Sequence, residues 1–290
     1  MRLLITGCLG QVGSELVRQA LSLGWEVKAA DRDELDITDA DTVNRMIHDV
    51  KPDVVINAAA YTAVDIAEDD VDAAFAVNRD GPVNLAVACE EQGALLVHYS
   101  TDYVFDGSKG SAYHENDAVA PLGVYGESKL EGELAVAKSC AKHLILRTSW
   151  VFSVHGNNFV KTMLRLGSER EELGVVADQF GKPTSAAEIA RITLAILPHA
   201  EGHWGIYHLA QPESISWHGF SKTIFAEAEK QKWPLKVKHV KEITTEDYPT
   251  PAKRPANSEF NCEKLERVFG VQIKPWGESL SEVIKELNDV

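Results

Sequence analysis

The residues best suited to chemistry are a tyrosine and a lysine four positions apart. Tyr125 and Lys129 lie in the stretch YGESK, which we interpret as helical. Positions i and i+4 share one face of a helix, so the two side chains are neighbours. A free phenol has a pKa of about 10, and a nearby ammonium favours the phenolate and lowers that pKa. The pair is therefore suited to proton exchange near neutrality.

Hydroxyl and carboxyl side chains precede this pair at the end of a predicted strand. The segment HYSTDYVFDG places Ser100, Thr101 and Asp102 at that strand's carboxyl end. Ligands of open α/β sheets bind at this edge, so we expect a hydroxyl there to hydrogen-bond a substrate carbonyl. A lone Y-x-x-x-K pattern is common; its position after such a strand end favours catalysis over a surface coincidence.

A glycine-rich turn follows the first predicted strand. Residues 6–13 read TGCLGQVG, in which Gly7, Gly10 and Gly13 give the spacing G-x-x-G-x-x-G between a strand and a helix. Glycines at such a turn allow a tight bend, close approach of a pyrophosphate, and close helix–strand packing. The helix N-terminus offers free N–H groups to the anion. The turn predicts a dinucleotide cofactor, against the alternative of an ordinary connection.

The residues after the second and third predicted strands leave the cofactor open between NADPH and NADH. Asp31 would accept hydrogen bonds from the adenosine ribose, which favours NAD, whereas Arg32 would meet a 2′-phosphate, which favours NADP. Asp36 and Ile37 either flank the adenine or form a turn. The small residues ending at Ala60 either let a cofactor lie against the backbone or serve helix–sheet packing.

Alternating strands and helices position these groups. Strands are predicted over 2–6, 25–31, 53–59, 94–101, 143–149 and 205–210, and helices over 11–24, 39–50, 71–92, 158–170, 186–197 and 217–231. This order predicts an α/β fold with a Rossmann-type doubly wound parallel sheet and a smaller C-terminal α/β substrate lobe. We expect residues 1–150 to form the NAD(P)-binding domain, residues 151–290 mainly the substrate lobe, and about 178–210 to return partly to the sheet.

The amino-acid composition argues against several classes of protein and of binding partner. The 290 residues are 44% hydrophobic and 25% charged, as in ordinary globular proteins. A formal net charge of −15 disfavours nucleic acid as a partner. No apolar run approaches the ~20 residues of a membrane span, and no secretory signal is recognisable, so we expect a cytoplasmic protein with no membrane partner. The four cysteines have no metal-binding spacing.

Eight segments in order closely resemble the dTDP-4-dehydrorhamnose reductases, which lie within the extended short-chain dehydrogenase/reductase family. They are TGCLGQVG, NAAAYTAVD, HYSTDYVFDG, VYGESKLEGE, LRTSWVF, GNNFVKTM, DQFGKPT and RPANSEFN. The resemblance implies NAD(P)H-dependent reduction of the C4 keto group of dTDP-4-dehydro-L-rhamnose to dTDP-L-rhamnose, a polysaccharide precursor. It implies Tyr125 as proton donor, Lys129 as its electrostatic partner and Thr101 as the orienting hydroxyl.

The resemblance also implies contacts with both ligands. Pyrophosphate contacts would come from Gly10, Gln11 and Val12, and the rest of the dinucleotide would meet Asp31, Asp36, Ile37, Ala60, Tyr61, Thr62 and Tyr99. The dTDP-sugar would meet Thr101, Asp102 and Trp150, with softer matches at Asn158, Phe159, Lys161 and Arg254, for which packing of the lobe is an equal alternative. We expect a monomer or a homodimer.

Three alternatives remain open at this point. Some relatives of this type carry Mg²⁺ at a dimer contact; Glu15 matches one ligand and Glu188 lies one position from another, so we assign no metal. A reductase or epimerase acting on a different nucleotide sugar would show the same motifs. A non-catalytic NAD(P)-binding regulatory protein, like the regulatory subunit of methionine adenosyltransferase, would share the scaffold. The presence of Thr101, Tyr125 and Lys129 together favours catalysis.

Overall fold

The first half of the chain alternates short strands with helices, as a doubly wound fold requires. The computed structural model describes residues 1–289. The strands are β1 (Arg2–Thr6), β2 (Glu26–Ala30), β3 (Val54–Asn57), β4 (Leu95–Thr101) and β5 (His143–Thr148). The helices are α1 (Gln11–Ser22), α2 (Ala40–Val50), α3 (Val64–Ala67), α4 (Val71–Phe75), α5 (Gly81–Gln92) and α6 (Val124–Ser139).

The second half has longer helices and mostly short strands. The strands are β6 (Val151–Phe152), β7 (Glu172–Val176), β8 (Phe180–Gly181), β9 (Thr184–Ser185), β10 (Gly205–His208), β11 (Ile215–Ser216), β12 (His239–Ile243) and β13 (Asn257–Ser258). The helices are α7 (Phe159–Glu169), α8 (Ala186–Ile196), α9 (Trp217–Lys230), α10 (Glu263–Phe269) and α11 (Trp276–Asn288).

The main sheet has six parallel strands in the order β10-β5-β4-β3-β1-β2. Strand β1 lies between β2 and β3, so the chain leaves β1 at the point where the strand order reverses. Ligands of doubly wound sheets bind in the crevice at this switch point. The predicted α/β class with a parallel doubly wound sheet is therefore confirmed.

Both faces of the sheet are covered, which explains why its strands are apolar without alternation. Leu3 and Ile5 pack with residues of α1 and α8, whereas Leu4 packs on the opposite face with residues of α2 and α5. A third apolar cluster lies apart, built from α7, α9 and α11 around Phe220. The sheet is therefore packed on both faces, and the third cluster forms a separate apolar core for the helices of the second half.

The helix predicted over 71–92 is not regular throughout. A π-helical turn at Ala76–Asp80 separates α4 from α5, and it places the main-chain oxygen of Asn78 where a Cβ on Gly132 would lie 2.1 Å away. Such π-helical turns occur frequently at functional sites.

Strand β10, from the second half of the chain, joins the main sheet beside β5. The division of the chain at about residue 150 stays a prediction.

Of residues 1–289, no helix is long and apolar enough to cross a membrane.

Candidate active site

The glycine turn after β1 is built so tightly that only glycine fits. Gly7 has a φ of +63°, and a Cβ there would lie 2.6 Å from the nitrogen of Ala59. A Cβ on Gly13 would lie 2.1 Å from the oxygen of Gly7. Helix α1 begins at Gln11 behind Gly10, with no side-chain cap. Its first N–H groups are therefore free to bind a phosphate.

A cavity of roughly 290 Å³ opens beside this turn. Seven predicted cofactor residues line it, namely Gly7, Gly10, Arg32, Asp36, Ile37, Ala60 and Tyr61. Of the other predicted cofactor residues, Val12 packs on the core and Thr62 is exposed. The shape and lining fit the adenosine half of a dinucleotide lying along the switch point.

Asp31 favours NAD and Arg32 favours NADP, and the two side chains differ in how strongly other residues hold them. One carboxylate oxygen of Asp31 accepts the N–H groups of Asp33 and Glu34 and so closes the turn after β2. The Arg32 side chain is 85% exposed, with its guanidinium 3.9 Å from Asp36. Hydrogen bonds from Thr38 hold the pKa of Asp36 below its usual value. Arg32 is therefore the more available of the two to meet a phosphate.

The chemical groups converge where β4 meets α6. Thr101 ends β4, and its hydroxyl donates to the carboxyl Oδ1 of Asp102 at 3.0 Å and accepts the N–H of Tyr103 at 3.2 Å. The Tyr125 ring, in the first turn of α6, packs edge-on against Tyr103 with centroids 5.4 Å apart. The structure thus brings Thr101, Asp102 and Tyr125 into one cluster.

Burial governs the protonation of Tyr125. Loss of hydration raises its pKa to about 12; a hydrogen bond with Thr101 lowers the pKa, and the Asp102 charge raises it further. This direction is opposite to the expectation that Lys129 would lower the pKa, because burial disfavours the phenolate more than neighbouring groups favour it. A neutral phenol is the form that donates a proton.

Lys129 lies one turn further along α6 and is only 3% exposed. Its Nζ donates to the main-chain oxygen of Tyr99 at 2.6 Å. Burial lowers its pKa to about 8, against the opposing effect of Glu133. The hydroxyl of Tyr99 points the other way, to Thr193 on α8 at 2.7 Å. Tyr99 therefore reaches the site through its carbonyl rather than its ring.

Asn78 holds the site together and was missed by sequence reasoning. It is buried in the π-helical turn, where its side chain bonds both the N–H and the carbonyl of Tyr61, at 2.9 and 3.0 Å. It also donates to the Ser128 hydroxyl on α6 at 3.0 Å. One amide thus fixes the loop after β3 to the helix carrying Tyr125. An asparagine inside a helical pattern is the only signal the sequence offers.

An ion pair joins the two halves of the chain at the rim of the site. Arg254 bonds both oxygens of Asp65 on α3, at 2.8 and 3.2 Å. The neighbouring Glu68 accepts the N–H of Val124 at 2.9 Å and so caps α6. The loop carrying α3 therefore positions both a cation from the second half and the helix of Tyr125.

A second cavity, of roughly 520 Å³, lies in the second half of the chain. Its walls are apolar and aromatic, with a few polar groups at the edge. The apolar and aromatic lining includes Phe159, Met163, Leu166 and Trp217. The polar lining includes Gln179, Thr250 and Arg254. A cavity of this character fits a planar ring with polar substituents.

Trp150 stands behind this cavity in an unusual conformation. Its φ is +49°, a left-handed value that is uncommon for a bulky residue. Its ring stacks on Trp217 with centroids 3.4 Å apart and planes 7° apart. A Cβ on Gly181 would lie 2.4 Å from the Trp150 ring. The ring is therefore held from two sides.

Two softer candidates have structural partners. Asn158 caps α7 through the N–H of Lys161, and its amide donates to Gln11 at 3.0 Å and to the carbonyl of Ser153. The Nζ of Lys161 donates to the carbonyls of Val154 and Gly156. Both residues support the loop next to the glycine turn.

The carboxylates that could hold a metal are bound to arginines instead. Glu15 accepts from Arg18 at 2.6 Å, and Glu188 accepts twice from Arg191, at 2.6 and 2.7 Å. Within residues 1–289, no group of three potential ligands is arranged to hold a metal ion. Arg18 bonds only one oxygen of Glu15, whereas Arg191 bonds both oxygens of Glu188, and we assign no metal to these residues.

A parallel sheet with a glycine turn at its switch point and a Tyr-x-x-x-Lys helix beside it defines the extended short-chain dehydrogenase/reductase class. Within that class the match is specific. The chain belongs to the family described as "RmlD substrate binding domain", whose family model matches residues 1–289.

Similar proteins span the whole length. A dTDP-4-dehydrorhamnose reductase from Burkholderia thailandensis is 47% identical over 296 residues, covering 99% of each chain. The crystal structure of such a reductase from Clostridium acetobutylicum, 42% identical, matches with a TM-score of 0.92 over 99% of this chain and all of that one. A Bacillus anthracis reductase solved in complex with NADP is 39% identical with a TM-score of 0.92, covering 98% and 99%.

Proposed function

We propose that this protein reduces the C4 keto group of dTDP-4-dehydro-L-rhamnose with NADPH or NADH, giving dTDP-L-rhamnose. The observation that carries the proposal is the cluster of Thr101, Tyr125 and Lys129 at the carboxyl end of β4. Full-length similarity to reductases of this name supports the choice of substrate.

The proton chemistry is assigned to Tyr125. A bound reduced nicotinamide supplies a hydride to the substrate carbonyl carbon. The neutral phenol of Tyr125 donates its proton to the oxygen that becomes an alkoxide, and the Thr101 hydroxyl hydrogen-bonds the same oxygen. Positioning and charge stabilisation then act together. A raised pKa supports this assignment, since it keeps the donor protonated.

Lys129 is assigned to the cofactor. Its ammonium is buried and donates to one carbonyl, which leaves further N–H donors for the hydroxyls of the nicotinamide ribose. Arg32 is assigned to the 2′-phosphate of NADPH, because it lines the first cavity and is largely exposed. Both NADPH and NADH are accepted in this proposal, with NADPH bound more tightly.

The second cavity is assigned to the nucleotide of the substrate. Its volume lies within the roughly 300–1,000 Å³ typical of small-molecule sites. Trp217 and Phe159 provide aromatic surface for a base, with their ring planes 48° apart. Arg254 lies on the same cavity and supplies a cation for the diphosphate. Trp150 and Asp102 stay predicted sugar contacts.

A substrate panel tests the proposal. Purified protein is incubated with dTDP-4-dehydro-L-rhamnose and with other 4-keto nucleotide sugars, each with NADPH and with NADH, and cofactor oxidation is followed by absorbance. We expect fast oxidation with the dTDP-rhamnose precursor alone. Preference for another sugar would indicate a different reductase, and cofactor binding without turnover would indicate a regulatory protein. Cytoplasmic location and a monomeric or homodimeric state stay predictions.

A further inference from the structure

Asp102 is a buried carboxyl group without a cation. It is 3% exposed, and its Oδ1 lies 3.0 Å from the Thr101 hydroxyl. Its Oδ2 is buried and makes no hydrogen bond to residues 1–289. No ion pair within that range includes it, although Arg254 and Asp65 pair nearby. A buried charge without a partner is costly, so this environment favours the neutral acid.

The groups around Asp102 also favour its neutral, protonated form. Burial raises its pKa to about 6, and hydroxyls of Ser258 on β13 and Thr101 lower it in part. The other titratable groups facing it are the phenols of Tyr103 and Tyr125, and Arg254 and Asp65 act on Tyr103 from beyond. Within residues 1–289, no ammonium or guanidinium pairs with the carboxyl group. A carboxylate there would carry an unpaired negative charge, so Asp102 tends to keep its proton.

Each turnover leaves Tyr125 needing a proton. Once the phenol has protonated the alkoxide, the phenolate is left half-buried, in surroundings that raise the pKa of Tyr125 and so disfavour the charge. The Thr101 hydroxyl interacts with both Tyr125 and Asp102, so it lies between the spent donor and the buried acid. The 3.0 Å separation serves a hydrogen bond in either direction.

Resting on the proposed function, we propose that Asp102 acts through Thr101 to return the proton that Tyr125 gives up. The Tyr125 O–H bond breaks as the alcohol O–H bond forms. The Thr101 proton then passes to the phenolate, and the Asp102 proton passes to Thr101. The carboxylate regains a proton from water, which is the proton that the reduction consumes. Asp102 is thus the proton reservoir of this step, a role separate from its predicted contact with the sugar.

Lys129 is the competing proton source. Its Nζ is bound to the Tyr99 carbonyl at 2.6 Å. A route through Lys129 would therefore need the ammonium to leave that carbonyl or to act through a bound ribose. The route through Thr101 needs no such movement.

First-turnover kinetics separate this role from a structural one. Both rates are measured at saturating sugar, so that a weakened sugar contact at Asp102 does not limit them. In Asp102→Asn we then expect the first turnover of NADPH oxidation to be much less affected than the later ones, because Tyr125 still holds its proton. Later turnovers should slow by a factor on the order of 10². Asp106→Asn removes a charge from the following loop and serves as the matched control, with wild-type kinetics. NADPH binding and thermal unfolding confirm that both variants fold.

The wild-type pH profile gives a second, variant-free measurement. A protonated reservoir is required, so steady-state kcat should fall as pH rises through about 6, while the first-turnover rate stays flat there. An equal loss of first and later turnovers in Asp102→Asn, or unchanged kinetics, would overturn the inference, as would a flat wild-type kcat. A wild-type protein inactive with every sugar would instead overturn the proposed function.

Discussion

The ammonium of Lys129 is anchored to the carbonyl oxygen of Tyr99, 2.6 Å away, at the junction of α6 and β4. This contact ties the helix that carries Tyr125 to the central strand of the sheet. It also leaves the lysine buried and charged, next to the proposed nicotinamide ribose. The ammonium of Lys129 therefore has two proposed roles: it holds α6 against β4, and it binds the cofactor.

Removing that charge should weaken cofactor binding. Lys129→Met keeps the length of the side chain, and we expect the Kd for NADPH to rise about ten- to a hundredfold, as for a lost hydrogen bond to a charged group. Isothermal titration calorimetry measures the change. Lys138→Met, at the far end of α6, is the control and should bind NADPH as wild type does. An unchanged Kd in Lys129→Met would remove the lysine from the cofactor site.

The same lysine predicts a pH dependence of binding. Burial lowers its pKa to about 8, so the ammonium is present below that pH and lost as pH rises through it. NADPH affinity of the wild type should fall across this range, while Lys129→Met should show no such step. Titrations one unit below and one unit above the pKa make the comparison. A step of equal size in both proteins would assign it to another group.

Arg32 should set the preference for NADPH. Since the side chain is largely exposed, its contribution is moderate, and Arg32→Ala should raise the KM for NADPH on the order of tenfold with little effect on NADH. Arg45→Ala, on the exposed face of α2, provides the control. Equal effects on both cofactors would show that Arg32 does not read the 2′-phosphate.

Asn78 should matter for stability beyond its size. Replacing it by Ala removes both hydrogen bonds to the partly buried main chain of Tyr61 and the bond to Ser128, and we expect a loss of about 2–4 kcal/mol in the free energy of unfolding. Urea denaturation measures it. Asn84→Ala, which removes a single bond to the carbonyl of Ile37, should cost about 1 kcal/mol. Similar losses in the two variants would contradict the bridging role of Asn78.

Local pattern was enough to predict the sheet and to select candidate residues that lie together in the structure, although their chemical roles stay predictions. Strands buried on both faces are apolar throughout, and the glycine spacing and the Tyr–Lys spacing follow from geometry that a few residues determine. What the pattern could not predict depends on tertiary packing. The π-helical turn at Asn78 packs its main chain closely against Gly132, and loss of hydration raises the pKa of Tyr125. Spacing along a helix reveals neither feature.

The pairing of Arg254 with Asp65 shows the same limit. The two residues are 189 positions apart, and nothing in either motif indicates their contact. Likewise, Glu15 and Glu188 each lie three residues before an arginine, a spacing that favours ion pairs on a helix. Only the structure shows that Arg191 bonds both oxygens of Glu188, whereas Arg18 bonds one oxygen of Glu15.

The most direct measurement is transfer of deuterium from NADPH deuterated at both C4 positions to dTDP-4-dehydro-L-rhamnose, followed by NMR and mass spectrometry of the product. We predict one deuterium at C4 of dTDP-L-rhamnose with the wild type. Tyr125→Phe should bind NADPH normally and form this product slower by a factor on the order of 10² or more. Product formed by Tyr125→Phe at the wild-type rate, or wild-type product without deuterium at C4, would contradict the account.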